Sequence, residues 1–568
     1  MKLKGIGAST GISIAKVFKL EEVEVKITNT KGEPAVEIKK VEDAIKVAMK
    51  QIEDIKAVAL KNLGPEEAAI FDAHIQVASD PAMLGEIKTL IESDKVNAIF
   101  ATDKITSNYV EMFSSMDDEY MKERAADIKD VAKRIINAIA GVKTVDLSAI
   151  NEEVIIVAED LTPSDTAQLN KKYVKGFATN IGGRTSHSAI MARSLEIPAV
   201  LGLKEITSKT KDGDMISLDG ESGEVIIKPT ATEIKELKVK EEELIKFEKE
   251  SKAFIGKESK TIDGHEVELA GNIGSPNDVE GVTKNDGEAV GLFRSEFLYM
   301  DAKDWPTEEE QFESYKKALE GMKGKRVVVR TLDIGGDKTL TYFKFPEEMN
   351  PFLGYRAVRL TLDKKDIFKT QLRALFRASA FGKLAIMFPM IATIDEFKQS
   401  KALAEEAKAE LKKEGIKFAD DVEIGMMMEI PAAAVMAKQF AKHADFFSIG
   451  TNDLMQYTMA ADRMNEKVSY LYQPLNPAIL TLIKYIIEGA HSEGKWAGMC
   501  GEMAGDSRAV PILLGLGLDE FSMSATSILK VRMQISKIKF EDAKKLALKA
   551  VDMSTQDEVQ KLVDQFNK

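Results

Sequence analysis

The stretch Gly182-Gly183-Arg184-Thr185-Ser186-His187-Ser188-Ala189-Ile190-Met191-Ala192-Arg193 combines residue types that can do chemistry at close spacing. It lies between an apolar, strand-like run from Val174 to Ile181 and apolar residues at helical spacing, Ala189, Ile190 and Leu195. The spacing predicts a strand–turn–helix junction. Gly182 and Gly183 let the backbone turn sharply and approach a ligand closely. Thr185 or Ser186 can cap the helix that follows. The first turn of that helix offers unpaired N–H groups and a positive dipole end, a setting that favours an anion. His187 lies in this turn. Neutral imidazole is a nucleophile near pH 7, and a phosphoryl group accepted there would sit where the helix end stabilises it. In isolation such a histidine reads as a surface residue beside a cap; the whole dodecamer changes that reading.

A second set of reactive side chains follows apolar runs further along. One run ends in Phe293-Arg294-Ser295-Glu296, the next in Arg330-Thr331-Leu332-Asp333, and later ones in Met428-Glu429, in Gly450-Thr451-Asn452-Asp453 with Arg463 beyond it, and in Cys500-Gly501-Glu502. Taken singly, each has a plain structural explanation: an ion pair, a loop anchor, a buried thiol. Taken together they predict a polar ring around one mouth. Carboxylates among oxygen neighbours suit Mg²⁺. Arginine forks suit a substrate bearing phosphate and carboxylate groups. A thiol beside an enolate carbon can protonate it.

The elements that must position these residues show in the hydrophobic pattern. Eight strand-like runs, His265–Ile273, Ala289–Phe293, Arg326–Val329, Leu384–Met387, Val422–Met427, Phe446–Ile449, Trp496–Met499 and Glu520–Met523, alternate with helical segments. That alternation predicts a parallel (β/α)8 barrel of TIM type, whose chemistry lies at the C-terminal ends of its strands. Upstream, residues 1–20 and the runs after about Asp146 read as strands, whereas Glu37 to Ile139 carries long helical periodicity. The chain therefore reads as an α/β multidomain protein: an α/β domain over 1–22 and 145–228, a helical bundle inserted over 23–144, a charged helical linker or hinge over 229–260, and the barrel over 261–568.

Length and composition agree. The 568 residues suggest three or four domains. A net charge of −13 argues against a nucleic-acid partner without a local basic patch. The single cysteine, Cys500, excludes an intrachain disulfide. No apolar run reaches the roughly 20 residues of a membrane span, and glycines at 5, 7 and 11 break up any signal-like segment. A cytoplasmic protein is expected.

The dodecamer around His187 resembles the phosphohistidine segment of phosphoenolpyruvate-utilising enzymes, GGxTSHxAIxAR, at every fixed position. The stretches Gly291 to Met300, Arg330 to Lys338, Asn350 to Arg356, Gly425 to Pro431, Phe446 to Arg463 and Gly498 to Met503 are similar to the same family's phosphoenolpyruvate-binding barrel. The resemblance implies His187 as the phosphorylated nucleophile and Cys500 as general acid. It implies Arg294, Arg330, Asn452 and Arg463 as phosphoenolpyruvate ligands, and Glu429 and Asp453 as Mg²⁺ ligands. Thr166, within Leu161 to Leu169, would orient His187. Ser295 stands where relatives carry Thr, which keeps the hydroxyl.

Within that family the order of parts is similar to the enzyme I branch of the bacterial sugar phosphotransferase system, which passes the phosphoryl group to the histidine phosphocarrier protein HPr. Ser114 to Ile128 resembles part of that branch's inserted, HPr-docking domain. Family members dimerise through the barrel, so a homodimer is expected. Phosphoenolpyruvate synthase and pyruvate phosphate dikinase share both motif sets but need a large nucleotide-binding domain, and no Walker-type loop precedes the histidine. A non-catalytic, phosphoenolpyruvate-sensing regulator is the remaining alternative.

Overall fold

Short runs of Val, Ile and Ala build the sheet of the first compact unit, residues 1–246. The computed structural model describes the chain except residues 10, 21–24, 63–67, 69, 115–118, 143–144, 184–186, 196, 301, 337, 339, 464 and 568, and except the side chains at 61–62, 119–124, 126, 187, 190, 193–194, 466 and 469. Strands β1 (Lys2–Lys4), β2 (Ile6–Ser9), β3 (Ile12–Lys19), β4 (Val154–Ala158), β5 (Val174–Thr179), β6 (Ala199–Leu201), β7 (Met215–Asp219) and β8 (Glu224–Ile227) form one sheet in the order β1-β8-β7-β3-β4-β5-β6-β2. Strands β3 to β6 run parallel, and all five residues of β4 are buried. This is the pattern of a central strand covered on both faces.

β3 and β4 are sheet neighbours, yet the helices lie between them in sequence: α1 (Pro34–Asn62), α2 (Ile70–Ala78), α3 (Pro81–Asp94), α4 (Ala98–Ser114) and α5 (Glu119–Ala140). On α1 the buried positions Val41, Ala44, Ile45, Ala48, Ile52, Ile55 and Ala59 recur at helical spacing and share a core with Ile87, Ile91, Ile105, Val131 and Ile135. Asp80 caps α3 by accepting from the N–H groups of Ala82 and Met83, with Pro81 in the first turn.

Inside the bundle His74 is fully buried, its Nε2 3.1 Å from Asp127 Oδ1, and Asp130 Oδ2 accepts from Ser164 Oγ at 2.5 Å. Ser164 belongs to α6 (Pro163–Ala167). The bond from Ser164 to Asp130 therefore ties the inserted helices to the α/β part.

Helix α8 (Ala231–Lys252) carries the chain across the division between the two units, the second of which spans residues 247–568. There, β9 (Glu268–Ile273), β10 (Ala289–Arg294), β11 (Val327–Arg330), β12 (Leu384–Phe388), β13 (Glu423–Met428), β14 (Phe446–Ile449), β15 (Trp496–Met499) and β16 (Glu520–Met523) close into a barrel, every neighbouring pair parallel. The expected TIM-type fold is observed, with each strand where the apolar runs placed it.

A charged cluster plugs the N-terminal end of the barrel. Arg326 contacts Glu268 and lies 2.7 Å from Glu520, with its guanidinium over the Trp496 ring at 4.0 Å. Trp496 stacks on Phe446 and donates to Glu423 at 3.0 Å. Burial, reinforced by the neighbouring Glu520, pushes the Glu268 carboxyl up to about 7.

A carboxyl raised in this way binds its proton more tightly folded than unfolded. The associated loss of stability sets in above the unfolded value near 4.5 and is complete above about 7. The barrel should therefore resist urea better at pH 5.5 than at pH 8, and Glu268→Gln should narrow that difference. Both tryptophans, Trp305 and Trp496, lie in this unit, so their fluorescence reports the barrel alone.

Candidate active site

The C-terminal ends of the barrel strands bring most of the expected residues to one mouth. Arg330, at the end of β11, is buried. Its Nη2 contacts Glu296, its Nη1 lies 3.1 Å from Asp333 Oδ2, and its Nε is buried without a hydrogen-bond partner. Burial opposes its charge, but Glu296, Asp333 and Glu429 outweigh that and keep the guanidinium protonated. Arg294 ends β10 with an exposed side chain.

The hydroxyl of Ser295 donates to Arg330 O at 2.6 Å and accepts from Gln371 Nε2 at 3.0 Å, which fixes the two strand ends relative to each other. A threonine hydroxyl could make the same bonds, so the departure noted at this position costs nothing here.

Glu429 follows β13 and is 1% exposed. One oxygen accepts from the Met390 N–H at 2.6 Å; the other is buried with no hydrogen-bond partner. Met390 adopts a positive φ of 57° as it makes this bond. Burial, with repulsion from Asp453 and Asp333, pushes the Glu429 carboxyl up to about 8. Gly450 packs so closely that an added Cβ would lie 2.9 Å from Glu429 Oε2.

Asp453, in the helix Thr451–Met459, is also buried. Its Oδ1 has no hydrogen-bond partner and stands 3.6 Å from Arg356 and 3.9 Å from Arg463. Two repelling carboxylates with unsatisfied oxygens invite a cation. Among the described residues no three His, Cys, Asp or Glu side chains form a complete cage. A pair of carboxylates with open positions for substrate and water matches what Mg²⁺ takes from proteins, so these residues fit that ion.

Asn452 accepts from Tyr472 Oη at 3.0 Å. Arg463 faces the Phe352 ring at 5.8 Å, as does Arg356. Cys500, at the end of β15, is 4% exposed and its Sγ lies 3.8 Å from Ile449 O. Burial pushes its thiol up to about 11, against the pull of Arg330 and Arg294. At neutral pH it carries its proton and is an acid, not a thiolate nucleophile.

The sequence reading did not assign Glu296, Asp333, Lys338 and Arg356. The structure puts them in the same ring: Lys338 Nζ donates to Glu296 at 2.7 Å, and Arg356 Nη2 to Asp333 at 2.9 Å. Each stands in a stretch already noted after a strand, but nothing in the spacing says which charges will pair.

In the first unit, helix α7 (His187–Ser194) begins at His187, and Gly182 has a φ of 117°, the turn its lack of Cβ permits. Thr185 and the His187 side chain lie outside the described residues, as does much of Ser114 to Ile128. Gly183 precedes the helix with open space at its Cβ position. Thr166, in α6, is fully buried, and α6 packs against α7. Its Oγ1 lies 3.1 Å from both Thr162 O and Pro163 O, so the hydroxyl donates within its own helix and keeps lone pairs to accept.

Three family models for phosphoenolpyruvate-utilising enzymes match the chain: the N-terminal part over residues 4–124, the mobile domain over 150–223 and the phosphoenolpyruvate-binding domain over 248–540. A phosphoenolpyruvate-protein phosphotransferase of Bacillus subtilis (strain 168) is 58% identical over 559 residues, 98% of each chain. The chain belongs to the phosphoenolpyruvate-protein phosphotransferase family. A member of this family from Staphylococcus carnosus (strain TM300) is 56% identical over 568 residues, 100% of this chain and 99% of its own. A solution structure described as Enzyme I (nEIt) is 46% identical and covers 43% of this chain and 99% of its own, with a TM-score of 0.40. No helix among the described residues is long and apolar enough to cross a membrane.

Proposed function

We propose that this chain, as a phosphoenolpyruvate-protein phosphotransferase, moves the phosphoryl group of phosphoenolpyruvate to His187, releases pyruvate, and passes the group on to HPr, the first step of sugar uptake by the phosphotransferase system. The supporting observation is the convergence at one barrel mouth of Arg294, Arg330, two incompletely satisfied carboxylates and a protonated thiol.

In this reading Arg294, Arg330, Asn452 and Arg463 hold phosphoenolpyruvate, and Arg294 and Arg330 neutralise charge at the phosphoryl group. Glu429 and Asp453 would hold Mg²⁺, which supplies further charge neutralisation when bound. The His187 imidazole attacks phosphorus in line, forming a P–N bond as the bond from phosphorus to the enolate oxygen breaks. The Cys500 thiol gives its proton to the enolate carbon, which yields pyruvate. Thr166 orients the imidazole, and Gly182, Gly183 and Thr185 shape the turn that presents it.

One histidine serving two partners must move. We place that motion in the hinge over 229–260, assign the phosphohistidine domain to 1–22 and 145–228, HPr docking to the helices of 23–144, and dimerisation to the barrel over 261–568. The substrate is a product of central metabolism, so the reaction is placed in the cytoplasm.

Without nucleotide, phosphoenolpyruvate, Mg²⁺ and HPr should give pyruvate and phospho-HPr in equal amounts. A requirement for ATP would favour a synthase or dikinase, and absence of any transfer would favour a regulator. Cys500→Ser should lower kcat by about 10²–10³-fold, the range of a lost general acid, with the KM for phosphoenolpyruvate within about threefold of wild type. An unchanged kcat would remove the thiol from the mechanism.

A further inference from the structure

Asp333 occupies the junction of the charged ring. It is 1% exposed, and its two oxygens face different groups. Oδ1 accepts from Arg356 Nη2 at 2.9 Å; Oδ2 lies 3.1 Å from Arg330 Nη1 and 3.3 Å from Lys338 Nζ. Arg356, also 1% exposed, continues the connection: its Nη1 donates to Tyr457 Oη at 3.1 Å and stands 3.6 Å from Asp453. Tyr457 Oη in turn donates to Phe352 O at 2.6 Å. One side chain thus grips Arg330 and, through Arg356, reaches Asp453 on the other side of the mouth. Glu296 touches Arg330 and Lys338, but its bonds stop there.

Such a buried array is a poor way to gain stability, because apolar residues of similar volume fill a core equally well. It does fix geometry. Phosphoryl transfer depends on donors already aimed at the oxygens where charge develops, and a side chain with two rigid partners is held within a fraction of an ångström. Arg330 Nε and Arg356 Nε are both buried without hydrogen-bond partners, so each guanidinium still has an N–H not committed to the array.

We propose that Asp333 is a positioning residue for phosphoryl transfer: its carboxylate fixes Arg330 relative to Arg356 and Asp453, so that the phosphoryl-binding and cation-binding sides of the mouth stay in register. The role rests on the function proposed above. In this role Asp333 does not touch the substrate.

The test is Asp333→Asn in the full chain, which keeps shape and one acceptor but removes the shared charge. With labelled phosphoenolpyruvate and Mg²⁺, kcat for labelling should fall about 100-fold, the cost of a misplacement near 1 Å, while KM stays within about fivefold. Labelling of the same chain from phospho-HPr, which bypasses the barrel, should stay within about twofold of wild type. A kcat within about threefold of wild type, or a loss seen only in KM, would overturn the assignment. If Asp333→Asn does not fold, Arg356→Lys decides. It keeps the charge but cannot span Asp333 and Tyr457, so kcat should fall about tenfold at unchanged KM, and a wild-type kcat would overturn the proposal. Wild type runs in parallel: if it takes no label from phosphoenolpyruvate, the functional reading itself fails, whereas equal labelling of wild type and variant removes only Asp333.

Discussion

A chain carrying His187→Ala is expected to take no label from phosphoenolpyruvate, a loss of at least about 10⁴-fold, while binding phosphoenolpyruvate and Mg²⁺ as tightly as wild type. The two halves of this expectation come from different parts of the chain. Alanine is a good helix former, so α7 should persist without the imidazole. The bonds that set the barrel mouth, Ser295 to Arg330, Arg356 to Asp333 and Met390 to Glu429, are each made within the second unit.

The other four histidines offer no ready substitute. His74 is fully buried beside Asp127, His265 stacks on Phe540 with ring centroids 3.8 Å apart, and His491 is bonded to Asp519 at 2.8 Å. His443 lies among Lys398, Lys401 and Lys442, away from any helix start. Calorimetry and base-quenched labelling on the same preparation check both halves. Labelling that survives in the variant would mean that another nucleophile receives the phosphoryl group.

Glu429→Gln should abolish phosphoenolpyruvate-dependent labelling by at least about 10³-fold, the scale of one lost stabilising group at a developing charge, and at the same time make the metal-free barrel more stable. The second effect separates this variant from a damaged one. Glu429 is fully buried, and its carboxyl is raised to about 8 by burial and by Asp453 and Asp333. Its ionised form therefore costs stability that begins above the unfolded value of 4.5 and is fully present above about 8. Glutamine keeps the acceptor for the Met390 N–H and removes the repelled charge. At pH 8.5 the variant is expected to unfold at a higher urea concentration than wild type. Mg²⁺ should then raise the midpoint of wild type but not of the variant. A variant that loses stability along with activity would count against a site whose carboxylates wait for a cation.

Most of the barrel was legible in the sequence. Its strands are buried on both faces, so they read as continuous apolar runs, and the residue after each run is forced to the mouth by the topology. Glu429, Asp453, Arg330 and Cys500 were found in this way. The partner relations were not. Asp333 and Arg356 are far apart in sequence, and only the folding of the segment after β11 back over the mouth brings them to 2.9 Å.

The lower plug was missed for a related reason. Glu268, Glu423, Trp496 and Glu520 each open a strand, and Arg326 directly precedes one. A charge at a strand start looks like a solvent-exposed end until the barrel closes around it. In the first unit, the inserted helices followed from periodicity, as on α1. The bond from Ser164 to Asp130 did not, because it crosses from the bundle to α6.

The most direct measurement is to incubate the full chain with phosphoenolpyruvate labelled in its phosphoryl group and Mg²⁺, map the label to a peptide, and then add HPr. The account predicts acid-labile, base-stable label on the peptide containing His187, formed with one equivalent of pyruvate and transferred to HPr on addition. Label on any other residue, or label on His187 that HPr does not remove, would contradict it.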